Sequence, residues 1–220
     1  MPLLKKSPIS YNPYFLLPFL VWVIAGGILL FAFSRQVLFF SVNTHYSDIA
    51  DWFMYYATWL GQAEIIVPIL FVLMLIPRFR NWWYFTTALL CNVVPFLVQH
   101  FIKEWLNHPR PRLLFRGIPG MHYLPQWPEL LHTSFPSGHS EGAFSFFCFL
   151  SLILTTRYRK AGILFFLLAL TVCYSRIYLT AHFFDDVYVG SIIGTLGTML
   201  VFSIMEKYKG SFFKKKDNFS

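Results

Sequence analysis

The stretch Ser175-Arg176-x5-His182-x3-Asp186, inside YSRIYLTAHFFDDVY at 174–188, places a guanidinium, an imidazole and two adjacent carboxylates between two apolar runs. Ionisable groups at membrane depth are costly and mark function by default. A carboxylate bonded to one imidazole nitrogen fixes the tautomer and leaves the other nitrogen as a nucleophile. From His182, Asp185 lies at i+3 and Asp186 at i+4, and both offsets are within helical reach. In a continuous helix, six steps of about 100° would turn Arg176 and His182 onto different faces. A break is therefore expected near Thr180 and Ala181, with Arg176 ending one helix, His182 beginning the next, and both side chains facing one cavity.

Two upstream stretches carry matching chemistry. In KEWLNHPRPR, Pro109 and Pro111 stiffen the chain around Arg110, and Lys103 precedes it near a helix end. A fixed fork plus a point charge suits a phosphate, although a basic cluster anchoring lipid headgroups would use the same residues. In SFPSGHSEGAF, Pro136-Ser137-Gly138-His139 stands just before an apolar run. Gly138 permits a turn whose N–H groups converge beside a helix N-terminus, a ready anion site, and His139 stands where it can protonate an oxygen leaving that anion. The plainer alternative makes Ser140 an ordinary N-cap after an ordinary turn.

These residues need a frame, and composition supplies it. The 220 residues are 56% hydrophobic, 20% aromatic and only 13% charged, with mean hydropathy +0.54, which is a membrane composition. Apolar runs at 14–33, 55–76, 82–101, 142–156, 161–179 and 187–205 each approach the ~20 residues of a spanning helix; the fourth does so only if its helix begins near Ser140. Six spans put both termini on one side. Twelve of the eighteen Lys and Arg, including Lys5, Lys6 and Lys214 to Lys216, fall on that side, so the termini are expected to be cytoplasmic. All seven histidines then map to the outer half. The net charge of +8 sits mostly in tails and inner loops, where it meets anionic lipid rather than nucleic acid. The run after Lys5 and Lys6 is long for a signal peptide and is read as a retained first helix. Cys91, Cys148 and Cys173 fall within spans and suggest neither disulfide nor metal. Outside the spans, 36–54 reads equally as a headgroup-level helix or a connecting loop. The segment 102–139 holds six of the thirteen prolines and cannot be a continuous helix. No linker divides the chain, so 1–220 is expected to form one domain.

Together, Lys103-x6-Arg110-Pro111, Pro136-Ser137-Gly138-His139 and Ser175-Arg176-x5-His182-x3-Asp186 resemble the three-part signature of the type 2 phosphatidic acid phosphatase (PAP2) superfamily. The resemblance covers nearly the whole chain and implies an all-α, integral-membrane bundle of six helices with its motif loops, about 102–139 and 175–186, outside. It implies that His182 attacks phosphorus and Asp186 orients it. His139 would protonate the leaving group and activate water, while Lys103, Arg110, Arg176, Ser137 and Gly138 hold the phosphate oxygens. No metal or other cofactor is expected. The implied activity is hydrolysis of a membrane lipid phosphate or diphosphate, such as undecaprenyl diphosphate, phosphatidylglycerol phosphate, phosphatidate or lipid A. Phosphotransfer to a hydroxyl, or a non-enzymatic lipid-binding or transport role, are the alternatives; a binding role would need the cations but not the two histidines. Asp185, His108, Arg112 and Glu141 lie beside motif positions without matching them. The loop at 113–133 is expected to be a partial lid, with Arg116 a second headgroup contact. No sequence signal specifies an oligomer.

Overall fold

The computed structural model describes residues 11–213; the basic residues Lys5, Lys6 and Lys214 to Lys216 lie outside them. Among the described residues the chain is all helical, without strands. The helices are α1 (Pro13–Ala32), α2 (Arg35–Asn43), α3 (Asp48–Ala57), α4 (Ala63–Leu75), α5 (Trp82–Leu106), the single turn α6 (Pro111–Leu114), α7 (Gly138–Ile153), α8 (Ala161–Tyr178) and α9 (Phe184–Phe213).

Among the described residues four segments are long and apolar enough to cross a membrane: Pro13–Ala32, Trp82–Leu114, Ala161–Tyr178 and Phe184–Gly210. The expected span at 55–76 is broken. Its α3 half and α4 half meet at a 3-10 turn, Thr58–Gly61, and bend by 57°. The expected helix near Ser140 begins at Gly138, and at 16 residues α7 remains short. The segment 36–54 is mostly helical, divided between α2 and α3.

The core forms around α7, which packs chiefly on α9, α8 and α5. Ala143, Phe144, Phe146 to Phe149 and Ile153 are buried on it. Phe144 meets Phe15, Phe19 and Phe166 of α1 and α8, edge-on or tilted, geometries that suit the ring quadrupole. Small residues let α9 approach closely, as they do in membrane interfaces generally. A Cβ on Gly190 would stand 2.5 Å from the Ser137 carbonyl, and one on Gly194 would stand 2.4 Å from that of Glu141. All three cysteines are free and buried.

The helix ends explain how the motif segments are presented. Asn107, with φ 44°, closes α5 in the left-handed conformation, which asparagine tolerates better than most residues. Thr180, with φ 56°, turns the chain between α8 and α9, a placement that costs a β-branched residue and needs the surrounding fold to hold it.

Candidate active site

The expected break lies where Arg176 and His182 require it. Arg176 sits in the last turn of α8, but His182 stands in the join, two residues ahead of α9. Phe183 takes the N-cap place, and its N–H donates to Asp186 Oδ2 at 2.9 Å. Asp186 thus closes the first turn of α9 from the third helical position, as the acidic partner of a capping box does.

His182 is 1% exposed. Its Nδ1 faces Asp186 Oδ2 at 3.3 Å, and its Nε2 faces the Arg110 guanidinium at 3.3 Å. Arg110 NH1 has only protons to give, so Nε2 accepts and Nδ1 carries the hydrogen toward Asp186. That tautomer turns the free lone pair to the cations. Burial, then Arg110, Arg176 and Lys103 in that order, push the His182 pKa well below the ordinary 6.5.

Each cation is fixed differently. Arg110 donates from Nε to the His132 carbonyl at 2.7 Å, from NH1 to that of Ala181 at 2.9 Å, and from NH2 to that of Thr133 at 3.2 Å. Arg176 donates to Thr58 Oγ1 at 2.8 Å and lies 5.1 Å over the Trp127 ring, while its buried Nε has no hydrogen-bond partner among the described residues. Lys103, in the last turn of α5, shares a cavity wall with Gly138 and His139.

Ser137, and not Ser140, is the N-cap of α7. Its Oγ accepts from the Ser140 N–H at 3.3 Å and the Ser140 hydroxyl at 3.0 Å, which leaves its own O–H available. Its N–H donates to the Asp186 carbonyl at 3.0 Å, tying the second stretch to the third. His139 follows in the first turn of α7, and the Gln62 amide donates to its Nε2 at 3.1 Å.

Neighbouring residues separate clearly. Asp185 does not compete for His182: it pairs with Arg35, whose Nε and NH2 reach its two oxygens at 2.9 and 2.7 Å. Glu141 accepts from Ser145 at 2.7 Å. Arg112 and Arg116 both lean on Glu129, at 3.4 and 3.6 Å, and His108 packs beside Phe135. The 113–133 loop is pinned where Asn43 bonds both N–H and carbonyl of His122, and His122 donates to Asp51 at 2.7 Å.

Several participants were missed in the sequence. Ser134 donates to Asp186 Oδ2, while Thr58, Gln62 and Arg35 come from elements far along the chain. Only Arg35 gave any signal, as a lone cation after the first span.

From Lys103 and His139 a cavity of about 620 Å³ runs between α4 and α5, walled by Val67, Leu70, Leu89, Val93 and Phe96. An apolar pocket of about 120 Å³ reaching Phe85 shares Val67, Leu70 and Leu89 with it.

The PAP2 superfamily model matches residues 80–209. The chain is 29% identical over 163 residues to phosphatidylglycerophosphatase B of Bacillus subtilis, covering 69% of this chain and 73% of that protein. It is 26% identical over 179 residues to lipid A 4'-phosphatase of Bacteroides thetaiotaomicron, covering 79% and 77%. The Aquifex aeolicus LpxE crystal structure superposes with TM-score 0.66 at 26% identity, over 78% of this chain and 97% of that one. The transmembrane PAP2 type phosphatidylglycerolphosphate phosphatase of Bacillus subtilis shares the fold, with TM-score 0.61 at 22% identity over 96% and 100%. Matched motif, fold and relatives agree: the chain belongs to the PAP2 superfamily and is a membrane phosphatase, a phosphoric monoester hydrolase.

Proposed function

We propose that the protein hydrolyses a lipid phosphate at the outer membrane–water interface through a phosphohistidine. The observation that carries this reading is the His182 arrangement: Nδ1 toward Asp186, Nε2 toward Arg110. The cavity that opens from Lys103 and His139, with an apolar run long enough for a lipid tail, supports it. From Phe85 to Lys103 α5 rises ~27 Å, close to the ~30 Å of a hydrocarbon core. A phosphate at the Lys103 end would leave its lipid's chain in that groove. Counted with the four long apolar segments, the bent α3–α4 pair and the short α7 would bring the crossings to six. The basic bias of the inner loops then favours an inward placement of both termini and an outward-facing site.

The steps follow from the groups present. Phosphate oxygens lie among Lys103, Arg110, Arg176, the Ser137 hydroxyl and the Gly138 end of α7, and a phosphoryl oxygen replaces His182 Nε2 as acceptor of Arg110 NH1. Nε2 attacks phosphorus, a P–N bond forms, and the P–O bond to the lipid breaks. Burial and then the neighbouring cations hold His139 below its ordinary pKa in the free enzyme, so it enters this step as an imidazolium only once the phosphate's negative charge offsets those cations. With its ring held by Gln62, it then gives the departing oxygen its proton. The imidazole is now cationic, and Asp186 balances it. Water then attacks phosphorus as His139 takes its proton, the P–N bond breaks, and inorganic phosphate leaves. The cations act mainly on charge spreading over the equatorial oxygens.

Two relatives are named for phosphatidylglycerophosphate and for lipid A 4'-phosphate. Purified protein should therefore be assayed without added metal on these, phosphatidate and undecaprenyl diphosphate. Release of inorganic phosphate is expected, with loss of at least about 10³-fold in His182→Ala, the scale seen when a covalent nucleophile is deleted. Undiminished release from that variant would sink the mechanism.

A further inference from the structure

We infer that Arg35, outside all three motif stretches, is a positioning residue for the reaction: it holds Asp186 by Oδ1 so that Oδ2 stays turned toward His182, with Asp185 as its tether. This rests on the phosphatase reading above.

The geometry is specific. Arg35 grips Asp185 with Nε to Oδ1 at 2.9 Å and NH2 to Oδ2 at 2.7 Å, and the same NH2 reaches Asp186 Oδ1 at 3.3 Å. Its guanidinium lies 4.0 Å over the ring of Phe183, the residue between His182 and α9. Asp186 is fully buried, and its oxygens are divided. Oδ2 receives Ser134, the Phe183 N–H and His182, while Arg35 occupies Oδ1. The carboxylate plane is thereby fixed from both ends.

Charge gives a second reason. Asp185 and Asp186 are adjacent anions, and Arg110 is engaged on the far side of the imidazole. Arg35 cancels one of the two charges, so His182 faces a net single negative charge when it becomes cationic on phosphorylation. Local preference does not explain the residue. Arg35 is the first residue of α2, capped by Ser34, and a cation there opposes the helix dipole. Such breaches of local rules gather at functional sites.

The test is steady-state kinetics on the full-length purified protein with its best lipid substrate. Arg35→Gln is expected to lower kcat by about 10- to 100-fold, as misplacement of a reacting group does, with KM within about twofold. Arg35→Lys should retain more activity. Because the Arg35 side chain is one-third exposed, guanidinium at millimolar levels should restore Arg35→Gly, whereas sodium should not. Asp185→Asn combined with Arg35→Gln should be no worse than Arg35→Gln alone, since both act through one contact. Unchanged kcat overturns the role. A raised KM at unchanged kcat makes Arg35 a headgroup contact, and also overturns it. So does a loss accompanied by a lower Tm that neither lysine nor guanidinium repairs. If the unaltered protein releases no phosphate, the functional reading itself fails.

Discussion

Asp186 carries four hydrogen bonds on two oxygens, and Asp185 is turned away to Arg35. Asp186→Asn presents an amide that can flip the His182 tautomer, and it should lower kcat by about 10² or more. Asp185→Asn should cost under about tenfold, and a reversed order in parallel assays would refute the division. His182 is held neutral well below pH 6.5, so the acidic limb of kcat/KM for the free enzyme should fall below that value. The sign for stability follows from proton counting. As pH drops through 6.5 the unfolded chain binds a proton that folded His182 refuses, so stability should fall with it, measurable as declining Tm. At this scale the offset of His182 and Asp186 was legible, because helical reach acts over a few residues. Even so, reach alone left Asp185 equally eligible. Ser134 and Thr58 were not legible, since common residue types brought in from distant elements leave no local pattern, and Arg35 stood out only as a lone cation after the first span, with nothing to tie it to the site.

The broken helix pair α3–α4 does work that an unbroken span would not do. Its kink presents Thr58 to Arg176 at 2.8 Å and Gln62 to His139 at 3.1 Å. Between them, a Cβ on Gly61 would stand 2.4 Å from the His139 carbonyl. Gly61→Ala should therefore destabilise by about 1–3 kcal/mol, the usual cost of overpacking, and should lower turnover by shifting His139; thermal unfolding and kinetics on one preparation check both. Thr58→Val should lower kcat/KM by about tenfold, since a hydrogen bond to a charged group is worth ~1.5–3 kcal/mol. Hydropathy read 55–76 as one span because apolar count is blind to direction, and the Thr-Trp-Leu-Gly-Gln junction has no proline to announce a bend. The α8–α9 break was legible for the opposite reason: two polar residues had to share a cavity.

At the scale of the molecule, α7 is short and enclosed while its neighbours face lipid, so the catalytic end is braced from several sides. The apolar runs were legible because each helix must satisfy its backbone internally. The groove between α4 and α5 was not, since it depends on how two helices splay. If a tail occupies it, soluble phosphatidates of increasing chain length, kept below their micelle concentrations, should show KM falling by up to about fourfold per methylene, the equivalent of ~0.8 kcal/mol. Chain-length independence would place the tail elsewhere. A groove that takes a lipid tail would also take the tail of whatever amphiphile surrounds the purified protein. A linear dodecyl surfactant should act as a competitive inhibitor, raising apparent KM more than a rigid steroidal surfactant does at equal lipid mole fraction. Turnover measured after extraction would then understate the enzyme's capacity in its own bilayer.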